Sequence, residues 1–358
     1  MIASKTEMLN DLLGNFQIDR KTYQFKEINQ GYINDTYLVL DGALPLYILQ
    51  RVNQNVFKDI EGIMKNIDNA FGLLLDKEYT PISLFKTHTG LSFYNQENEG
   101  YWRLMTFINN STAYNNAPDE KIAFEAGKVV GKFHQLLTNA DLEQYVDTIP
   151  QFHDLSLREK QFGDSLASAH IEKLEIAASA ISFAKATLEK LKAIDNNKLP
   201  LRVCHNDTKL NNILFSKDNN KALCLIDLDT IMKGYFYFDF GDAIRTIANR
   251  AEEDERDHSK ITFERPLFEA FIDGLEGNGA FLHQEELDTL AWGAVFMPFI
   301  HGLRALTDYL NNNIYYKVSY ENQNLDRCQS LFYFSNKALE EIGYMDKVIN
   351  ERLTPLQQ

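Results

Sequence analysis

Cysteine is scarce in this chain: Cys204, Cys224 and Cys328 make up the whole set, and no two lie close enough for a CxxC pair. An odd, dispersed count excludes a disulfide framework and a zinc site of the usual spacing. It leaves buried thiols acting as small hydrophobes. Long apolar runs are missing too, and none approaches the ~18 residues that a membrane-spanning helix needs. The first residues, Met1-Ile-Ala-Ser-Lys-Thr-Glu7, lack a basic stretch followed by an apolar one. No signal peptide is expected, and cytoplasmic localisation follows. Positive charge is in deficit, with 36 Lys and Arg against 51 Asp and Glu and a net charge of −15. A surface that acidic repels phosphate backbones and anionic lipid, so neither nucleic acid nor membrane is expected as a partner. An anionic substrate requires a local cationic pocket against that field. There is no internal repeat, low-complexity tract or Gly/Ser linker, and a monomer is the default expectation.

At 358 residues, of which 44% are hydrophobic, the chain is too long for one ordinary core, and two lobes are expected. Segments 23–28, 36–40 and 47–52 are short, rich in aromatic and β-branched residues, and separated by turn chemistry at Gln30–Asp35 and Asp41–Pro45. Phe57, Ile60, Ile63, Met64, Ile67, Ala70, Phe71 and Leu74 then recur at helical spacing. Further strands fit 83–87, 92–94 and 102–107. The pattern predicts a small antiparallel β lobe with one long helix over residues 1–109. A larger, mostly helical lobe is predicted over 110–358, with helices near 122–137 and 166–194 and a compact β insert at 201–226. This is an α+β chain in which a ligand belongs between the lobes.

The chemistry concentrates in Val203-Cys-His-Asn-Asp-Thr-Lys-Leu-Asn-Asn-Ile-Leu214, whose skeleton is His205, Asp207, Lys209 and Asn212. Fifteen residues beyond Asn212, an apolar strand ends in Ile226-Asp-Leu-Asp229. Phosphoryl transfer needs a carboxylate near the attacking hydroxyl, oxygen ligands for Mg²⁺ and cationic charge near the γ-phosphate. Asp207 supplies the first, Asn212 and Asp227 the second, and Lys209 the third. One or two protein oxygens plus phosphates and water suit Mg²⁺. His205 reads as a residue that orients the loop. Asp239, within Phe238-Asp-Phe-Gly-Asp242, reads as a cap or loop anchor.

The segment resembles the catalytic loop of protein-kinase-like folds, and the strand ending at Asp227 resembles their metal-binding region. It is more similar to the aminoglycoside phosphotransferase and choline kinase group than to protein kinases. Within that group, His205–Leu214, Ile226–Met232, Phe238–Asp242, Tyr47–Asn53 and Gly31–Tyr37 resemble the N-acetylhexosamine 1-kinases, in the same order, over about residues 25–330. The resemblance implies ATP and Mg²⁺ as cofactors and a sugar as small-molecule substrate. The implied reaction phosphorylates the anomeric hydroxyl of an N-acetylhexosamine (GlcNAc or GalNAc). It places Gly31, Asn34 and Thr36 at the nucleotide phosphates and the backbone of Thr106 to Ile108 at adenine. Where kinases hold a strand lysine this chain has Gln50-Arg51, of which only one can face the cleft. Arg51 is favoured for its charge. Glu61 and Asp68 both remain open as its acidic partner on the first helix. The acceptor is expected against Arg304 and Tyr315, with Tyr32 and Asn206 as further contacts and Asp229 as either a sugar or a second metal contact; Tyr32 stands where the related enzymes carry His. The rival readings are a same-fold kinase for choline, homoserine, an aminoglycoside or another sugar, and a nucleotide-binding pseudokinase.

Overall fold

The computed structural model describes residues 5–28, 34–97 and 99–356. Helix α1 (Lys5–Leu13) precedes strands β1 (Gln24–Ile28), β2 (Asp35–Asp41) and β3 (Leu44–Val52), and α2 (Ile60–Leu73) precedes β4 (Tyr94–Gln96) and β5 (Gly100–Thr106). The five strands form one antiparallel sheet in the order β1-β2-β3-β5-β4. The sequence pattern gave no sign of α1. Its Leu9, Leu12 and Leu13 join Phe16, Tyr23, Tyr37 and Trp102 in a separate core on one face of the sheet. Segment 83–87, expected as a strand, makes only isolated bridges, Leu84 with Met105 and Thr87 with Phe16.

The chain continues through β6 (Ser111–Thr112), α3 (Glu120–Leu136), α4 (Leu155–Ser168), α5 (Ile171–Ile176) and α6 (Ala178–Leu191). The helical stretch expected near 166–194 is divided among α4, α5 and α6. A compact β region follows: β7 (Arg202–Cys204), β8 (Ile213–Ser216), β9 (Ala222–Leu225) and β10 (Met232–Gly234). β7 pairs with β10, and β8 lies between β6 and β9. The remainder is helical: α7 (Phe236–Ile247), α8 (Arg265–Glu276), α9 (Gln284–Leu287), α10 (Leu290–Leu310), α11 (Gln323–Glu340) and α12 (Ile342–Arg352).

Helix starts follow local chemistry. The Asp59 carboxylate caps α2 by accepting from the Gly62 N–H at 2.8 Å, and Asp119 caps α3 through the Ile122 N–H at 2.9 Å. Helices α3 and α8 cross closely because each presents a glycine to the other. A Cβ on Gly127 would fall 2.0 Å from the Phe271 carbonyl oxygen, and one on Gly274 would fall 2.0 Å from that of Phe124. α10 is buried along nearly its whole length between α7 and α11. The apolar face of α2 packs into this large core rather than into the core of the sheet. Among the described residues, no helix is long and apolar enough to cross a membrane.

Candidate active site

The catalytic segment is the loop between β7 and β8, and a buried carboxylate holds it from beneath. Asp239, in the first turn of α7, accepts from the backbone N–H of His205 at 2.8 Å and of Asn206 at 2.6 Å, and from His134 Nε2 at 2.8 Å. The Thr208 hydroxyl donates to the Asp239 carbonyl at 2.5 Å. His205 takes the orienting role: its Nε2 donates to the Ile226 carbonyl at 2.8 Å, tying the loop to the strand that ends at Asp227. His134, Cys204 and Asp239 lie close enough to suggest a metal cluster. The Asp239 oxygens are already engaged by these three donors, and burial pushes the Cys204 thiol well above its ordinary value.

Asn206 lies beneath this loop. It sits in the left-handed region (φ 61°), which asparagine tolerates. Its amide donates to the carbonyls of Cys204 and Thr230, each at 3.1 Å, and its side chain is buried. The side-chain nitrogen of Asn206, expected at the acceptor, is instead spent on backbone carbonyls. His153 supports the loop from the other side, with Nε2 3.2 Å from the Asn206 carbonyl. Burial, reinforced by the nearby His301, pushes His153 down to about 3, so it is neutral and donates to that carbonyl.

Asp207 lies at the partly exposed top of the loop. It accepts from Lys209 Nζ at 2.8 Å and from Asn212 Nδ2 at 2.9 Å, and its carbonyl accepts from the same Nδ2 at 2.7 Å. This leaves Asn212 Oδ1 without a hydrogen bond among the described residues. Burial works against the Lys209 charge, but Asp207 and Asp227 outweigh it and hold Lys209 above the usual lysine value. Asp227 is in the left-handed region at φ 62°, a strained conformation for a residue that is not glycine. Burial, followed by the charges of Asp229 and Asp207, raises it to about 6. The structure thus gathers Asp207, Lys209, Asn212 and Asp227 into one cluster in which carboxylates crowd one another.

A cation that binds such a cluster must displace the proton on Asp227. The Mg²⁺ concentration needed for half-maximal nucleotide binding should therefore rise as pH falls through about 6, roughly two units above where an ordinary aspartate titrates. Magnesium titrations between pH 5 and 8, compared with Asp227→Asn to subtract the titration of the nucleotide itself, check this. Identical pH profiles for the two proteins would remove Asp227 from the metal site.

The nucleotide-side expectations fare unevenly. Gly31 and Tyr32 lie outside the described residues. Asn34 and Thr36 flank the cleft, but their side chains are engaged: Asn34 Nδ2 donates to Asp229 at 2.7 Å, and the Thr36 hydroxyl accepts from Gln50 at 3.0 Å. The preference for Arg51 is corrected. Strand alternation turns Arg51 to the opposite face, where it pairs with Asp35 at 2.8 Å and lies over the Trp102 ring. Gln50 faces the cleft, beside Arg103 of β5. Neither acidic candidate on α2 reaches it: Glu61 is exposed, and Asp68 binds Lys86 at 2.8 Å and Ser92 at 2.6 Å. The Thr106 N–H already donates to Ser83 at 3.1 Å and that of Phe107 to Leu46 at 3.2 Å, so Thr106 cannot offer its N–H to a base. Ile108 keeps an N–H that is not bonded to backbone among the described residues. Asp229, expected as a sugar or second metal contact, is instead buried in an ion pair with Arg103. Arg103 is the residue that sequence reasoning missed.

On the acceptor side, Arg304 of α10 makes no hydrogen bond and has no carboxylate within 4 Å among the described residues. Its guanidinium lies 5.2 Å from the ring centre of Phe152 and 6.0 Å from those of Tyr315 and Tyr316. Asp308 shapes this wall by accepting from the N–H groups of Tyr315 (2.8 Å) and Tyr316 (2.9 Å). Arg158 of α4 joins it, donating to the Phe152 carbonyl at 2.9 Å, with Nε buried and without a partner. Burial and the facing Arg304 charge push Arg158 down to about 10. The carboxylates nearby are committed to other cations: Asp242 to Arg245 at 2.6 Å, and Glu253 to Arg327 at 2.8 Å.

The profile of the phosphotransferase enzyme family matches residues 24–266. Solved structures share the fold over nearly the whole chain. A microcompartment-associated aminopropanol kinase is 14% identical with a TM-score of 0.61, over 95% of this chain and 98% of the other. A spectinomycin phosphotransferase, solved with ADP and spectinomycin, is 15% identical with a TM-score of 0.60, over 97% and 100%. A choline kinase from Cryptosporidium parvum is 15% identical with a TM-score of 0.58, over 97% and 99%. The small antiparallel lobe and larger helical part are the architecture of these kinases.

Proposed function

The chain belongs to the phosphotransferase enzyme family, whose profile covers well over half of it, and from that premise we propose that it transfers the γ-phosphoryl group of ATP to the anomeric hydroxyl of an N-acetylhexosamine. Asp207 is positioned by Lys209 and Asn212 to orient that hydroxyl and accept its proton. Lys209 keeps its charge beside Asp207 and Asp227, and it would offset the negative charge of the transferring phosphoryl group. The donor set fits a hard divalent ion: Asn212 Oδ1 is unengaged, and Asp227 sits among like charges that a cation relieves. Asn212 and Asp227 would hold Mg²⁺, which would offset the negative charge of the nucleotide phosphates. The assembled Asp207, Asn212 and Asp227 speak against a pseudokinase.

The acceptor class rests on one observation, the unpaired Arg304 within Phe152, Tyr315 and Tyr316. Three aromatic rings around a cation are what a quaternary ammonium would seek, but here the protein's own guanidinium occupies them, with Arg158 behind it. Such a wall repels choline, amino alcohols and aminoglycosides, and donates to hydroxyl and amide oxygens of a neutral sugar. The preference for the anomeric position comes from the motif resemblance described above.

An ADP-release assay with ATP, Mg²⁺ and a panel of N-acetylglucosamine, N-acetylgalactosamine, glucose, galactose, choline and homoserine tests the reading. Turnover on the N-acetylhexosamines, with phosphate on C1, is the expected result. Turnover on choline alone would mean that Arg304 swings out of the aromatic cluster and admits a cation, and would overturn the sugar assignment while keeping the mechanism.

A further inference from the structure

The sheet of the small lobe reaches the metal-binding segment through one buried ion pair. Thr36, Gln50 and Arg103 lie side by side across β2, β3 and β5, on the sheet face opposite Arg51 and Trp102. The Thr36 hydroxyl accepts from Gln50 Nε2 at 3.0 Å. Gln50 Oε1 accepts from Arg103 Nε at 3.0 Å and Nη2 at 2.8 Å. Arg103 Nη1 then binds Asp229, with side-chain exposures of 1% and 3%. The second Asp229 oxygen accepts from Asn34 Nδ2 at 2.7 Å, and Asn34 Oδ1 accepts from the Asn53 N–H at 3.0 Å. Helix α2 adds one more hold on the same turn, since Asn66 donates to the Ile231 carbonyl at 2.8 Å. Among the described residues, no other ion pair joins the five-stranded sheet to the segment carrying Asp227.

A buried pair is weak grounds for stability, because desolvating two charges offsets most of their attraction. The position of this one matters more. Asp229 lies two residues after Asp227, which is held in a strained left-handed turn with no capping hydrogen bond from its own side chain. The cleft-facing residue of β3 is the neutral Gln50, so the inward cation comes from the neighbouring strand. Gln50 fixes that cation toward the large lobe rather than toward open cleft.

We propose that Arg103 is the positioning residue of the nucleotide–metal site: by gripping Asp229 it fixes the 227–230 turn, and with it Asp227, at a set distance from the small-lobe sheet. Arg103 touches neither acceptor nor reacting atoms; it acts through Asp229. The inference rests on the phosphotransfer reading but not on the identity of the acceptor. Its test is therefore direct, Mg²⁺-dependent nucleotide binding measured by calorimetry without acceptor, together with the melting temperature.

Arg103→Gln and Asp229→Asn should each weaken Mg²⁺-dependent ATP binding by about 10- to 100-fold, as loss of an outer partner does at metal sites. The double variant decides between positioning and mere charge balance, because it leaves no unpaired buried charge. It should melt close to the wild type yet bind Mg²⁺-ATP no better than the weaker single variant, a non-additive result that marks the two residues as one unit. Arg103→Lys should recover part of the affinity. If the double variant binds Mg²⁺-ATP like the wild type, the pair is only a balanced pair of charges and the proposal fails. If the wild type itself binds no nucleotide in the presence of Mg²⁺, the phosphotransfer reading falls, and this inference with it.

Discussion

Asp207→Asn should lower kcat on the order of 10²- to 10⁴-fold, the range associated with removing a positioned general base, while Mg²⁺-dependent nucleotide binding persists. The two halves of this expectation have separate causes. The substitution keeps the shape of the side chain and an oxygen that can still accept from Lys209 or Asn212, both of which now converge on the Asp207 carboxylate. The loop itself does not depend on that carboxylate, since Asp239 holds the N–H groups of His205 and Asn206, and Thr230 donates its hydroxyl to the His205 carbonyl at 2.8 Å. The proton acceptor is lost, and the negative charge that draws the hydroxyl hydrogen is lost with it. Single-turnover kinetics separate the chemical step from binding. Turnover within a small factor of the wild type would show that Asp207 is not the base, and would return the cluster to a metal-binding role only.

The parts of this site that were legible in the sequence are those close together in the chain. His205, Asp207, Lys209 and Asn212 fall within eight residues, so one loop fixes their relative positions and spacing alone exposes the chemistry. The anchoring role of Asp239 was legible because the acid stands in an otherwise apolar helix start. What spacing could not show was any choice decided by a sheet face or by a distant partner. Gln50 and Arg51 are equivalent in sequence, and the more charged residue was the natural choice. Which of them faces the cleft depends on β3 pairing with β2 and β5 in one register, with Trp102 and the α1 leucines covering the other face. Arg103 and Asp229 are 126 positions apart, so neither announces the other. Asp229 looked like a ligand contact because its partner was out of view. The same blindness made Asn206 look available, although the carbonyls of Cys204 and Thr230 already accept from its amide. In the helical part, the stretch near 166–194 contains no glycine or proline to mark its breaks at Ala169 and Ala177, so periodicity merged separate helices.

Asp239→Ala should be the most damaging single change to the fold around the site. Asp239 is fully buried, and its two oxygens serve three donors from two different elements: His205 N, Asn206 N and His134 Nε2. Alanine leaves all three buried without an acceptor, and no other carboxylate lies within reach of them among the described residues. Removing one side of a buried charged contact typically costs about 3–5 kcal/mol, which for a chain of this length lowers the melting temperature by roughly 4–7 °C. Catalysis should suffer as well, because His205 and Asn206 immediately precede Asp207 and their N–H groups fix where it stands. Asp239→Asn is the informative companion. It retains one acceptor for the backbone but places an N–H where a second donor arrives, so it should recover part of the melting temperature while kcat stays depressed. Thermal unfolding followed alongside kcat for both variants checks the argument. If Asp239→Ala melts like the wild type, the three donors must find water or another acceptor, and the loop is then held mainly by the His205 contact to Ile226 and by the packing of His153 beneath Asn206.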